Sequence, residues 1–313
     1  MPPSTRPSVI WMVVLFSESR LSQRLTAAEH PIVNLSLRFF RNTPILPGFS
    51  ISFGFSVLYI SLVILLPVSA LLVYVSGMSF DQYWFAVTDA RVLQSYKVTL
   101  MGAFYSTVIV TFIGFLLAWI ITRYDFPGRR LIDSLVDLPF ALPTSVAGIT
   151  LSALFIPTGW LGQWFTILGI KISYAFPGIV VAMIFTSLPF IVRSVQPVLE
   201  DMEAELEEAA LMLGANKWQI FWRVILPTLI PALITGSSQA FIRSLGEFGA
   251  VIMIAGNIPF QTEVTSLMLF VRLQEYNYPA AAAIASVVLL ASLLLLFLLQ
   301  VVQGRLFKTA GEK

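Results

Sequence analysis

The chain has 313 residues, 57% of them apolar and only 12% charged, with a mean hydropathy of +0.85. Apolar usage at that level excludes an ordinary soluble domain and indicates a chain that crosses a membrane several times. The absence of cysteine and the single histidine, His30, exclude disulfides, thiolate metal sites and histidine-based metal clusters, and the net charge of +2 matters less than which loops hold the Lys and Arg.

Residues 1–41 read as an N-terminal cytoplasmic extension, poorly ordered or interfacial. Ser8–Phe16 is apolar but too short to span a bilayer, and no small-residue cleavage site follows it. Residues 42–308 form the transmembrane domain. The first span is Ile51–Val75, with a kink expected at Pro67. A polar loop with Asp81, Asp89, Arg91 and Lys97 leads to the second span, Val98–Thr122, a charge-free run of 25 residues. The next loop, RYDFPGRRLIDS, is basic and carries the turn pair Pro127-Gly128. Leu138–Ile170 is uncharged. Its first part is a third span opened by LPFALPTSVAG, where Pro139 and Pro143 disturb the helix. Its second part, Trp160–Ile170, is expected at the membrane surface. Ile172–Val192 is the fourth span.

Val224–Ile242 opens the fifth span, interrupted by Arg243 and Glu247 before the apolar character resumes to Ala255. A straight helix over that whole stretch would be about 48 Å long against a bilayer core of roughly 30 Å. A break is therefore expected near Gly246 or Gly249. The sixth span is Ala280–Val302. With both termini inside, the inner segments hold 14 basic residues and the outer loops 4, which satisfies the positive-inside rule. The fold class is thus an all-α membrane protein with six transmembrane helices and a cytoplasmic helix–Gly–helix elbow.

That elbow, residues 197–227, reads as two short soluble helices. Leu199, Met202, Leu206, Ala209 and Leu213 recur at helical spacing and would form one face, with the acidic residues mostly off it. Gly214 stands where a left-handed helix end suits glycine, and Asn216 and Gln219 have capping-box spacing. An elbow between spans is a docking surface. The bland alternative is an acidic amphipathic loop with no partner.

Catalytic machinery is missing. There is no G-x-x-x-x-G-K-[ST], no nucleophile elbow, no metal-binding helix motif and no basic face for nucleic acid. Arg243 and Glu247 stand four apart at membrane depth. They read either as a pathway charge that senses an anion or as an ion pair that fixes packing. Thr144, Ser145, Ser187, Ser237, Ser238 and Gln239 are candidate neutral donors, and the prolines beside them can break helices so that freed N–H groups face an anion. The bland reading of those prolines is ordinary kinks. The translocation-path candidates are Thr144, Ser145, Ser238, Arg243 and Glu247.

The elbow resembles the "EAA" loop of bacterial ABC-importer permeases: Glu-Ala-Ala, three residues, Gly, nine residues, an aliphatic, one residue, Leu-Pro. Glu208, Ala209, Ala210, Gly214, Val224, Leu226 and Pro227 stand at those intervals. The segments RYDFPGRRLIDSLVDLPFALPTSVAG, SLPFIVRSVQPVLEDMEAELEEAA and SLGEFGAVIMIAGNIPFQTEV are similar to permeases of the sulfate/thiosulfate importer family over about residues 45–303. LQEYNYPAAAAIASVVLL resembles the T-type subunit, although Phe248 stands where that type usually has Tyr. The resemblance implies a heteromeric importer in a bacterial plasma membrane. Its parts would be a W-type second permease, two copies of a cytosolic ABC ATPase gripping the elbows, and an extracytoplasmic sulfate/thiosulfate-binding protein. Glu208, Ala209, Ala210, Gly214, Leu226 and Pro227 would be coupling residues. This chain would bind no cofactor and would not itself be an enzyme; ATP and Mg belong to the ATPase. The alternatives are a homodimeric molybdate/tungstate permease and a secondary anion transporter. The second would need repeated halves and paired intramembrane acids, which are not seen.

Overall fold

A computed structural model describes residues 49–311 apart from Glu203, so the extension predicted at residues 1–41 lies outside the described residues. The chain divides into two units, residues 1–66 and 67–313. The described part of the first is the opening of helix α1 (Ile51–Ser76). Apart from α1 and its π-helical turn, everything below concerns the second unit. Among the described residues the chain forms helices and turns with no strand.

After α1 come α2 (Phe80–Thr88) and the span α3 (Ala90–Arg123), then α4 (Arg129–Val136), α5 (Leu138–Ala141), α6 (Thr144–Phe155) and α7 (Gly162–Ile167). The span α8 (Phe176–Glu200) leads into α9 (Ala204–Met212) and α10 (Lys217–Leu245). The chain closes with α11 (Gly249–Ala255), α12 (Thr265–Gln274) and α13 (Tyr278–Gly311). Among the described residues five helices are long and apolar enough to cross a membrane: α1, α3, α8, α10 and α13. The protein is therefore a multi-pass membrane protein.

The third predicted span differs from its expectation. Its helix α6 has 12 residues and is about 18 Å long, too short for a bilayer core of roughly 30 Å. Pro143 supplies no N–H and holds Leu142 extended (ψ 137°), which ends α5 and starts α6 afresh. The predicted break in the fifth span is present: α10 stops at Leu245 and α11 starts at Gly249. A π-helical turn at Ser61–Leu65 precedes Pro67, where a kink was expected, and a second such turn, Phe221–Ile225, precedes Pro227. A proline cannot bond the carbonyl four residues back and its ring crowds it; a wider turn relieves both. At the second site the Leu226 N–H reaches Phe221 O, five residues back.

Spans in lipid gain little from apolar burial, so close van der Waals packing must hold them together. Helices α3 and α8 run parallel and touch through glycine: a Cβ at Gly102 would lie 3.2 Å from Ile179 Cγ2, and one at Gly114 would lie 2.7 Å from Ile191 Cβ. Helix α10 runs antiparallel to α3, pinned by Thr111–Ser237 (2.9 Å) and Ser106–Ser244 (3.3 Å) hydroxyl bonds. One apolar cluster, with Val110, Ala118, Ile121, Ile191, Val195 and Leu229, joins α3, α8 and α10 toward the elbow. A second, with Val98, Ile179, Met183, Val251, Ile254 and Leu267, joins α3, α8, α11 and α12 at the other end.

Candidate functional site

Two regions draw the predicted site residues together. The first is the elbow. Helix α9 ends in a Schellman arrangement, with Ala215 N–H bonded to Ala210 O (3.1 Å) and Gly214 at φ +82°, where a Cβ would clash with its own backbone. Asn216 then caps α10. Its side chain accepts from Gln219 N–H (2.8 Å) and Gln219 Oε1 accepts from Asn216 N–H (2.9 Å), the reciprocal box that the spacing predicts. The turn is thus determined by three local residues.

The apolar stripe predicted for the elbow does not form a single face. The chain bends at residues 201–202, between α8 and α9. Leu199 is buried in the core at the end of α8, whereas Leu206 is 52% and Leu213 89% exposed. Met212 is equally bare, and Trp218 is exposed as well. Glu208 and Ala209 face outward beside them and Ala210 is half-buried. Leu226 and Pro227 resume the α-helix of α10 just after the π turn. The elbow therefore presents a bare apolar knuckle edged by carboxylates, a surface suited to a protein partner.

The second region lies deep in the bundle. Ser106 is halfway along α3, so its bond to Ser244 puts Arg243 and Glu247 level with the middle of that helix. Arg243 Nη1 lies 2.6 Å from Glu247 Oε2; the Glu247 side chain is 1% exposed and that of Arg243 32%. Glu247 sits beyond the end of α10. Its Oε1 accepts from the Ala250 N–H (3.0 Å) at the start of α11, and its carbonyl accepts from Ser266 Oγ (2.9 Å). One carboxylate thus answers a cation and a helix start, as a charge at membrane depth requires.

Helix α6 begins beside that point. A methyl group at Gly249 would overlap Thr144 Oγ1, and one at Gly148 would lie 2.5 Å from Ala250 O. Helices α6 and α11 thus start side by side at mid-depth and run parallel toward the far end, where Tyr174 N–H bonds Ile254 O (2.8 Å). No side chain caps the first turn of α6. Thr144 and Ser145 thus lie beside Gly249, two residues after the Glu247 that meets Arg243. Ser238 is buried one and a half turns away, with its hydroxyl on Ile234 O (2.6 Å). Ser187 likewise bonds Met183 O, Ser237 bonds Thr111 and Leu233 O, and Gln239 is exposed. Phe248 packs against Phe270, with ring centroids 5.3 Å apart.

Sequence reasoning missed three ion pairs that fix the loops. Arg91 grips the buried Glu263 through two bonds of 2.7 and 2.6 Å. Arg193 grips Asp137 in the same bidentate way and also reaches Asp133 Oδ1 (2.7 Å). Arg123 Nη2 meets Glu207 Oε1 at 2.5 Å. The partners are 56 to 172 residues apart, so no local pattern announces them. Among the described residues no group of three or more Asp, Glu, His or Cys could hold a metal.

Comparison with known proteins agrees with this geometry. Residues 110–309 match the family described as binding-protein-dependent transport system inner membrane component. The chain is 58% identical over 261 residues to the sulfate transport system permease protein CysT of Escherichia coli K12, covering 83% of this chain and 94% of that one. It is 44% identical over 254 residues to the CysT protein of Synechocystis, covering 81% and 89%. Among solved structures, a bacterial ABC transporter that imports the polysaccharide alginate matches with a TM-score of 0.67 at 18% identity, covering 80% of this chain and 92% of that one. The MetNI methionine ABC transporter matches with a TM-score of 0.52 at 18% identity, covering 73% and 99%. An all-helical bundle with a broken fifth span and a capped elbow, matched along most of its length by these relatives, belongs to the family of inner membrane components of binding-protein-dependent transport systems.

Proposed function

We propose that this chain is the T-type permease subunit of an ATP-driven sulfate/thiosulfate importer. The observation that carries the reading is the 58% identity to a sulfate permease along 94% of that relative's length. The chain pairs with a W-type permease in a bacterial inner membrane and receives the anion from an extracytoplasmic binding protein. Both termini and the elbow face the cytosol, a reading supported by the 14 basic residues on that side against 4 opposite. Six crossings are counted by letting α5 and α6 make the third together.

In this reading the bare knuckle of Met212 and Leu213 seats in a groove of the ATPase, with Glu208, Ala209, Ala210 and Gly214 at the contact and Leu226 and Pro227 at the root of α10. Closure of two ATPase copies on ATP and Mg moves the elbow, and α10 carries the motion to mid-depth. There the uncapped start of α6, Thr144, Ser145 and Arg243 offer donors to a passing dianion, while Glu247 holds Arg243 when none is present. Donors of this number and kind hold an anion weakly enough to release it.

The test is reconstitution of the chain with its second permease, ATPase and binding protein in liposomes. ATP-dependent uptake of radiolabelled sulfate, competed by thiosulfate and not by molybdate, is expected. Uptake of molybdate by a complex holding two copies of this chain alone would overturn the assignment.

A further inference from the structure

The elbow touches more than the helix it leads into. Phe115, Trp119 and Arg123 stand at intervals of four on α3 and so form one stripe ending at the last residue of that helix. Each limb of the elbow rests on that stripe. On the α9 side, Arg123 Nη2 bonds Glu207 Oε1 at 2.5 Å and Met202 Sδ at 3.4 Å. On the α10 side, the Phe221 ring meets Trp119 edge-on with centroids 5.7 Å apart and Phe115 at 6.3 Å. The Arg123 guanidinium also lies over the Trp119 ring, 5.5 Å from its centroid, so the two contacts are joined. Both members of the ion pair are about three-quarters covered, at 25% and 26% exposure. Glu207 precedes the outward-facing Glu208 and points the other way, into the chain.

We propose that Arg123 and Glu207 are positioning residues that make α3 a second output of the elbow. Motion imposed on α9 reaches both α8 and α10 through the chain and reaches α3 through this strut. The tight Gly114–Ile191 contact then ties α3 to α8, so the three spans move together. The inference rests on the reading that the elbow is gripped by an ATPase. Covalent continuity alone would turn α10 against a stationary α3. The strut instead makes α3 move with it, so that their Ser106–Ser244 and Thr111–Ser237 bonds need not break.

The experiment uses the reconstituted four-component transporter. It reads sulfate taken up per ATP hydrolysed, together with retention of the ATPase on the purified permease. Arg123→Gln and Glu207→Gln are each expected to lower the uptake-to-ATP ratio about tenfold with the ATPase still bound. The charge-swapped pair Arg123→Glu with Glu207→Arg is expected to recover to within about threefold of the unmodified complex, because the coupling lies in the pair. Arg123→Lys keeps the charge and is expected to keep most of the coupling. Single variants that transport normally, or a swapped pair no better than the singles, would overturn the proposal. Loss of the ATPase from the single variants would also overturn it, since the pair would then shape the docking surface instead of transmitting motion. Failure of the unmodified complex to bind an ATPase at all would strike the underlying functional reading instead.

Discussion

The hydroxyl of Ser106 donates to that of Ser244 at 3.3 Å, and this bond fixes how deep the ionised residues of the fifth span lie. Ser106 is the midpoint of a 34-residue helix, and Ser244 is followed within three residues by the end of α10, by Glu247 and by the turn into α11. The break in the span and its only acid therefore coincide at mid-depth, next to the start of α6.

Replacing Glu247 by Gln is expected to lower sulfate uptake while leaving the complex assembled. The amide oxygen can still accept from Ala250 N–H, but Arg243 loses its counter-charge. Glu247→Ala removes both interactions and is expected to destabilise the protein by about 3–5 kcal/mol, the usual result of stranding a buried charge. Thermal denaturation in detergent and uptake in liposomes check the two parts. Unchanged uptake by a folded Glu247→Gln complex would remove the gating role.

Gly214→Pro is expected to leave the spans inserted but to uncouple ATP hydrolysis from uptake. Proline fixes φ near −65°, and this position sits at +82°. Gly214→Ala is a milder version, costing about 1–2 kcal/mol of local strain. The ratio of uptake to hydrolysis reads the effect, and normal coupling in the proline variant would count against the elbow.

Asn216→Ala removes one half of the capping box and is expected to cost about 1 kcal/mol. Hydrogen exchange should quicken at the first amides of α10, with no change in α3 or α8. Faster exchange throughout the bundle would mean that the cap supports more than the turn.

Gly114→Ala places a methyl 2.7 Å from Ile191 Cβ, so α3 and α8 must separate or Ile191 must shift. Overpacking of this kind is expected to cost about 1–3 kcal/mol. The double variant with Ile191→Ala should recover part of the loss. A melting temperature unaffected by Gly114→Ala would show that the helices have room to spare.

What could be read from the sequence was local or arithmetical. The Gly214 turn and the Asn216–Gln219 box depend on residues within a few positions of one another, and the break near Gly246 follows from the length of an apolar run. The length of the helix in the third apolar stretch was not legible, because an uncharged stretch with prolines has the same composition whether one helix or two short ones occupy it. The elbow stripe was misjudged because helical spacing continues smoothly across the bend at residues 201–202, and nothing in Leu199 or Leu206 marks which one the core will cover. The candidate path residues were chosen by their chemistry, yet the Ser238 hydroxyl points back into its own helix, which spacing alone does not reveal.

The ion pair at mid-depth is neutral in sum but not in what it displays. Glu247 is sealed, at 1% exposure, while Arg243 keeps 32% of its side chain open. An ion approaching from the open side therefore meets a positive field first and the hidden carboxylate only at a distance. On the proposed path, a wall built this way would repel cations and attract anions although the pair contributes nothing to the chain's total charge.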